Sequence, residues 1–408
     1  IVAILAAVIS LTVLPAVLAL LGNRVNSLAP KFLQRRADAD SRPAQEGFWY
    51  RLSRFVMRRP APIAAASAAL LIAMGIPFLQ IKFTSPDAQI LPEDRSARQV
   101  DNVLRADFPP NRDTPIRVVL ASTEQGDVAA VQQRLGDTAG VVAVNPPQRI
   151  GKDTTVLEGV SANPYIDEAS RDAVRQVRGI EAPSGAELLV TGATADFIDF
   201  QSSLEEHLPL AVAIVIIATL IVLFLMTGSV VLPIKQLLMN VLNLTAVFGI
   251  LVLIFQDGRL EGLLDYGSQG AIEQTMPILL FAVAFGLSTD YGVFLLSRIK
   301  EARDAGASDS ECIAIGLERT GRIVTAAALL FAIAIGAFAT SQIIFIKQNG
   351  IGTALAVLID ATIIRALLVP SLMELLGSWN WWAPKPLRKL HYRFGLSETA
   401  PEPTTSRA

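Results

Sequence analysis

Long apolar runs dominate the chain, and their lengths predict helices that cross a membrane. A helix that spans the hydrocarbon core of a bilayer needs roughly 20 predominantly apolar residues. Seven runs reach about that size, near residues 1–22, 61–80, 208–226, 231–255, 276–297, 321–342 and 350–376. The pattern therefore predicts an α-helical polytopic membrane protein with seven spans in this chain.

The segment 81–207 interrupts this pattern with shorter strand-like and helix-like stretches. Its β-branched runs predict strands at 115–121, 141–144, 154–160 and 187–192, and its helical spacing predicts helices at 94–108, 127–140 and 166–179. The order β-α-β-β-α-β is typical of the ferredoxin-like arrangement. We expect an inserted α+β ferredoxin-like domain outside the membrane, with 193–207 running on as a helix into the third span.

Basic residues predict the orientation of the spans, because cytoplasmic loops of membrane proteins are enriched in Lys and Arg. Nine lie in 23–60, five in 298–322 and five after 376, whereas 256–275 and 343–349 hold one each. We therefore expect the C-terminus to be cytoplasmic. The predicted organisation is helix 1–22, basic cytoplasmic linker 23–60, helix 61–80, extracytoplasmic domain 81–207, five spans in 208–376, and cytoplasmic tail 377–408.

Two similar helix ends indicate an internal duplication. VLPAVLALLG (13–22) matches LVPSLMELLG (368–377), and each closes a predicted span on the cytoplasmic side. We interpret 1–22 as the last transmembrane helix of a first half and 61–377 as the second half. The first run begins at residue 1 without a charged start or a small-residue cleavage site, unlike a signal peptide. We expect an N-terminal half to be missing, and this chain alone not to transport.

Composition excludes several classes of function. Hydrophobic residues make up 52% of the chain and the net charge is −2, so a nucleic-acid partner is not expected. A single cysteine, Cys312, and two distant histidines, His207 and His391, predict no disulfide, no metal site and no cofactor. No catalytic constellation is present, and residues 287–290 read LSTD rather than the GxGD of an intramembrane aspartyl protease. We expect no enzyme.

One carboxylate lies inside an apolar run, in FGLSTDYGVFLLSR (285–298). Placing a lone charge at the centre of a bilayer costs roughly 2.5–3.5 kcal/mol, so Asp290 is a candidate functional residue that could accept and release a proton. The neighbouring phenol of Tyr291 can donate a hydrogen bond to it. Ser288 and Gly292 put small residues on one helix face and allow close packing. The alternative is that Asp290 is a structural polar contact.

Other polar residues in the predicted spans are weaker candidates. Asp360 could serve coupling or helix packing, and we expect it to point into the bundle. Arg365 is five positions away, so we do not expect the two to face each other on an α-helix, and we expect Arg365 to snorkel to the surface. Lys235 lies near the start of its span and is interpreted as an interface anchor. Trp379, Trp381 and Trp382 are typical of an aromatic belt.

Several local motifs resemble the MMPL (mycobacterial membrane protein large) family of the resistance-nodulation-division superfamily, C-terminal half. They are GSVVLPIKQLLMNVLNL (228–244), FQDGRLEGLL (255–264), FGLSTDYGVFLLSRIKEARDAG (285–306), GLERTGRIVTAAALL (316–330) and LIDATIIRALLVPSLMELLGSWNWW (358–382). The resemblance implies a transporter of the bacterial plasma membrane that uses the proton gradient to export lipids or hydrophobic small molecules. It implies that Asp290 and Tyr291 form one half of a proton relay, whose other half lies in the missing N-terminal part.

The same resemblance leaves the substrate and the assembly open. Many relatives carry Glu after the Asp-Tyr pair, where this chain has Gly292, so no particular substrate is carried over. Expected partners are membrane lipids, a hydrophobic substrate and the N-terminal half, while homo-oligomerisation stays open. The alternative function is a lipid-sensing or sterol-sensing membrane protein of the same superfamily, without net transport.

Overall fold

Six helical segments in the described part of the chain are long and apolar enough to cross a membrane. The computed structural model describes residues 2–22, 47–85, 87–108, 111–183 and 186–395. The six segments are Pro60–Gln80, Ala193–Thr227, Val231–Gln256, Met276–Asp304, Asp309–Thr340 and Ile344–Trp381. They coincide with six of the seven predicted runs, and the protein is a multi-pass membrane protein. The seventh run is helical, but its apolar stretch Val8–Leu21 is shorter than a span within the described residues.

The helices and strands follow the sequence pattern closely. The helices are α1 Val2–Leu21, α2 Phe48–Met57, α3 Pro60–Gly75, α4 Ser96–Asp107, α5 Gln125–Gly136, α6 Glu168–Arg178, α7 Ala193–Thr227, α8 Val231–Leu251, α9 Glu261–Leu264, α10 Met276–Asp304, α11 Asp309–Gly336, α12 Ile344–Ile359, α13 Val369–Leu376 and α14 Lys385–Phe394. The strands are β1 Phe83–Thr84, β2 Ile116–Leu120, β3 Val141–Val144, β4 Gln148–Ile150, β5 Thr154–Ser161, β6 Leu188–Thr191 and β7 Ile272–Glu273. As predicted, α7 runs continuously from the α+β segment into the membrane.

Several spans depart from regular α-helix along their length. Short 3₁₀ turns extend α3 to Gln80, α11 to Thr340 and α13 to Trp381. Two π-helical segments lie in the bundle: Val252–Gln256 continues α8, and Asp360–Leu368 joins α12 to α13. π-helical turns are rare and occur mostly at functional sites. The second segment contains the buried residues Asp360 and Arg365.

A four-stranded antiparallel path forms the sheet of the inserted segment. Its order is β3-β5-β2-β6, and β4 pairs with β5 at the side. The alternating burial of β2 turns Ile116, Val118 and Leu120 towards a core that also holds Leu135 of α5 and Val174 of α6. Strand β4 was not predicted, because its three residues are all exposed and leave no apolar alternation to detect.

Two short parallel strands connect the inserted segment to the bundle. β1 pairs with β7, with Phe83 opposite Ile272, so the chain leaving α3 lies beside the chain entering α10. The side chain of Gln256 strengthens this junction: it donates to the carbonyl of Gln80 and accepts from the amide of Lys82. The end of the α3 span, the end of the α8 span and the start of α10 are thereby held together.

The interior of the bundle is formed mainly by α8 and by the span Ile344–Trp381. The most apolar stretches of these two spans are 56% and 67% buried, against 11% for α7, which presents a mostly apolar exposed surface suited to lipid. α3 approaches α8 closely at Gly75 and Gly249, where a Cβ on Gly249 would lie 2.0 Å from the carbonyl oxygen of Met74. α10 and α12 pack on the other sides of α8. Polar side chains of these three helices meet at their common contact.

Candidate functional site

The most buried ion pair of the described residues joins Asp360 to Arg365. Arg365 Nε donates to Asp360 Oδ2 at 2.7 Å, and the two residues are only 5% and 3% exposed. Both lie in the π-helical segment Asp360–Leu368, whose wider turn pairs residues i and i+5 and brings them onto one face. The sequence expectation that they do not face each other was wrong, because it assumed α-helical spacing. Arg365 likewise does not snorkel to the surface.

Ser288 connects this ion pair to two neighbouring helices. Its Oγ lies 2.8 Å from Asp360 Oδ1 and 2.8 Å from Asn240 Oδ1. A hydroxyl has one proton to donate, so Ser288 serves one of these acceptors at a time. Its carbonyl oxygen accepts from Arg365 Nη2 at 2.8 Å. The backbone of α10 is therefore fastened to the ion pair independently of the hydroxyl.

The polar contacts continue along α8. Gln236 Nε2 donates to Asn240 Oδ1 at 3.0 Å, and Asn240 Nδ2 donates to Thr289 Oγ1 at 3.2 Å. Ser288 and Gly292 both face α8, and a Cβ on Gly292 would lie 2.9 Å from the Gln236 side chain. The small residues singled out in the sequence thus lie on the face of α10 that packs against α8. We call Gln236, Asn240, Ser288, Asp360 and Arg365 the polar cluster.

Tyr291 and Asp290 take opposite positions relative to the polar cluster. The Tyr291 ring packs against Arg365, whose Cζ is 5.2 Å from the ring centroid. Asp290 is exposed in this chain, and no described residue forms a hydrogen bond or ion pair with it. At 3.6 residues per turn, a residue two positions after the inward-facing Ser288 points to the opposite side. Asp290 therefore faces away from the polar cluster, and the carboxylate within the cluster is Asp360.

Lys235 is a second buried cation beside the polar cluster. It is 7% exposed, and its Nζ has no hydrogen-bond partner among the described residues. It lines a small cavity of about 10 Å³ together with Gln236, Asp360 and Arg365, close to the lower limit for one water molecule. An interface anchor would reach water, so the interpretation of Lys235 as an anchor was wrong.

Asn240 was noted from the sequence only as a polar residue of its span, and Gln236 was not selected, although a signal was present. Gln236, Asn240 and Asn243 have helical spacing on α8 and mark a polar stripe in an otherwise apolar span. Asn243 extends the stripe by donating to the carbonyl of Ala356 on α12, at 3.1 Å. Such a stripe predicts a helix face turned to polar partners rather than to lipid.

The chemistry available to the polar cluster is proton and hydrogen-bond exchange. It brings a carboxylate, a guanidinium, a hydroxyl and two amides into contact across three helical segments, with the Tyr291 ring against the guanidinium. Among the described residues no group of three or more His, Cys, Asp and Glu side chains could hold a metal ion. A change at any member must reorganise its neighbours, because a buried polar group without a partner is costly.

Comparison with known proteins identifies the family. The MMPL family profile matches residues 2–63 and 152–403. The chain is 39% identical over 97% of its length to the membrane protein SCO6666 of Streptomyces coelicolor, covering 54% of that protein. It is 36% identical over 97% of its length to the trehalose monomycolate exporter MmpL3 of Mycolicibacterium smegmatis, covering 42% of it.

A third relative carries a similar description. The mycolic acid-containing lipids exporter MmpL11 of Mycolicibacterium smegmatis is 34% identical over 93% of this chain, which covers 41% of that protein. The chain thus spans about half the length of the curated relatives it matches. Since the family profile matches well over half of the residues, the chain belongs to the MMPL family.

Proposed function

We propose that the complete protein is a transporter that uses the proton-motive force to export lipids or hydrophobic small molecules, and that this chain supplies its second half. Two relatives named as lipid exporters support the substrate class. The observation that carries the proposal is the buried Asp360–Arg365 pair, bonded through Ser288 to α8 and α10 and in contact with the Tyr291 ring. Ionisable residues inside a membrane are costly and are usually functional.

The proposal includes an arrangement in the bacterial plasma membrane. We place seven spans in this chain, counting α1, with the C-terminus in the cytoplasm. The strand order β3-β5-β2-β6, with α5 and α6 between strands, supports a ferredoxin-like domain on the outer side. The basic residues of 298–322 and of α14 support the cytoplasmic side for the other ends. The exposed side of Asp290 then faces the N-terminal half.

In this scheme Asp290 is the proton-accepting group and the polar cluster responds to its charge. Protonation of Asp290 removes a negative charge one residue from Tyr291, whose ring contacts Arg365. Arg365 can then shift between the ring, Asp360 and the Ser288 carbonyl, while the Ser288 hydroxyl changes acceptor. One charge that crosses about 100 mV releases about 2.3 kcal/mol, enough to bias two arrangements of α10 against α8.

The test is export from the complete protein in membrane vesicles with an imposed pH gradient. Asp290→Asn keeps the size and hydrogen-bonding capacity of the side chain but cannot exchange a proton, so we expect normal insertion and loss of export. Tyr291→Phe removes only the hydroxyl, and we expect reduced export. The matched control is Asp304→Asn at the exposed end of the same helix, with export unchanged. Full export by Asp290→Asn would refute the proton-relay role.

The same experiment distinguishes the proposed transporter from the alternative function. A lipid-sensing or sterol-sensing protein would bind a lipid probe in the vesicles without moving it across the membrane, whether or not a pH gradient is imposed. Gradient-independent binding without export by the unsubstituted protein would favour the sensor and contradict the transporter.

A further inference from the structure

Helix α14 is basic on one side and apolar on the other. Its sequence KPLRKLHYRF holds four permanent cations and no acidic residue. Leu387, Leu390 and Phe394, at helical spacing, are 36%, 44% and 57% exposed. No residue of α14 is buried. A short helix of this kind is typical of segments that lie in the plane of a membrane surface.

The position of α14 is fixed against the end of a lipid-facing span. The His391 ring packs edge-on against Phe224 of α7, with centroids 6.0 Å apart, and lies against Gly228 at the end of that helix. Gly228 has a positive φ of 72°, and a Cβ there would lie 2.7 Å from the His391 ring. The missing side chain at Gly228 therefore leaves room for the His391 ring of α14, which packs against Phe224.

The segment before α14 is bonded to the chain that follows α7. Ser229 Oγ donates to the carbonyl of Asn380 at 2.6 Å, and the Val230 amide donates to the carbonyl of Trp382 at 3.1 Å. Trp379 and Trp382 are exposed beside it, and exposed tryptophans at a span end are typical of the headgroup region. The segment that leads into α14 is thus fastened to the chain that follows α7.

We propose that α14 binds the headgroups of anionic lipids in the adjacent leaflet. The guanidinium and ammonium groups of Lys385, Arg388, Lys389 and Arg393 have no described acidic partner, so the cationic side is available. Anionic headgroups complement it, while the apolar residues enter the upper acyl region. This lipid site is separate from the polar cluster, and it does not depend on the proposed transport.

The test compares the chain in two kinds of nanodisc: phosphatidylcholine alone, and phosphatidylcholine mixed with phosphatidylglycerol. Hydrogen exchange of the amides of 385–394 is measured by mass spectrometry. Each cation near an anionic surface adds to the attraction, and salt screening reduces it, so we expect exchange to be at least about tenfold slower in the anionic discs. High salt should reduce the difference.

Replacing all four cations, Lys385, Arg388, Lys389 and Arg393, with Gln should bring exchange in the anionic discs to the level of the neutral discs. The control replaces four exposed cations of the inserted domain, Arg117, Arg134, Arg149 and Lys152, with Gln, and should leave α14 protected. Exchange in α8 reports whether each variant is folded.

Four outcomes would overturn the proposal. The first is equal exchange of the α14 amides in both discs. The second is protection of α14 that survives the four Gln substitutions. The third is protection of α14 in neutral discs by inorganic phosphate at equal ionic strength. The fourth is protection in native membranes but not in anionic discs, which would assign this surface to another protein.

Discussion

Arg365 Nε lies 2.7 Å from Asp360 Oδ2, although the two residues are five positions apart in one helical segment. The π-helical turn brings them together, and the bundle buries them. In a buried pair, each charge needs the other, because desolvation of a lone charge costs several kcal/mol. The contribution of each charge to the free energy of unfolding should therefore depend on the presence of the other.

We expect Asp360→Leu and Arg365→Met each to lower the free energy of unfolding by about 3–5 kcal/mol, because each leaves a buried charge without its partner. The double variant should recover most of this loss, since both charges are gone. Thermal unfolding of the purified chain in detergent, followed by tryptophan fluorescence, measures all three. A double variant as unstable as the sum of the single variants would contradict the coupling.

The control for this cycle is an exposed pair on α6, Asp172 and Arg175, with half-exposed side chains. Asp172→Leu and Arg175→Met should each change stability by no more than about 1 kcal/mol, because surface ion pairs contribute little.

Two buried lysines should respond in opposite directions to the same substitution. Lys235 Nζ has no described partner, so Lys235→Met removes a desolvated cation, and we expect stability to stay equal or rise. Lys347, 3% exposed, donates to the carbonyls of Leu264 and Asp265. Lys347→Met should cost about 1–3 kcal/mol, because these carbonyls lose a donor. Unfolding in detergent tests both; strong destabilisation by Lys235→Met would indicate an unrecognised partner.

The crossing of α3 and α8 should tolerate no side chain at Gly249. A Cβ there would lie 2.0 Å from the carbonyl oxygen of Met74 and 2.9 Å from the Cα of Gly75, both backbone atoms that cannot rotate away. We expect Gly249→Ala to cost about 1–3 kcal/mol. Gly286→Ala on α10, where no atom lies within 4 Å, should be neutral or stabilising. Equal stability of both variants would contradict the close approach.

Acidification should loosen α14 from α7. Burial, together with the charge of Lys300, lowers the pKa of His391 below its usual 6.5, and the backbone of Leu225 and the charge of Asp304 oppose this only in part. Because the folded pKa is the lower one, the contact stabilises fully above pH 6.5, and this stability is lost as the pH falls through the folded value. Protection factors of 385–394 in detergent should fall with pH in that range. His391→Gln should abolish the dependence, and an unchanged profile would refute it.

The sequence by itself determined the positions of the six membrane-crossing segments and most elements of the inserted domain. Membrane spans need long uninterrupted apolar runs, and β2 carries the alternation of a half-buried strand, so both patterns are local and can be read along the chain. The resemblance to the MMPL family was also visible in local motifs such as 285–306, and the comparison confirmed it. Strand β4 was not predicted, because its three exposed residues carry no alternation of apolar and polar positions.

The tertiary structure decided which polar residues meet. The apolar pattern placed Asp290, Asp360, Arg365 and Lys235 in membrane spans. It favoured an inward direction for Asp360, but it gave the wrong direction for Arg365 and Lys235, which are also buried. The local π-helical turn pairs Asp360 with Arg365, and the packing of α10 on α8 turns Ser288 inwards and Asp290 outwards. The direction of a side chain depends on the rotation of its helix and on neighbours that are distant in sequence. The residues next to it along the chain therefore do not determine whether it points into the bundle.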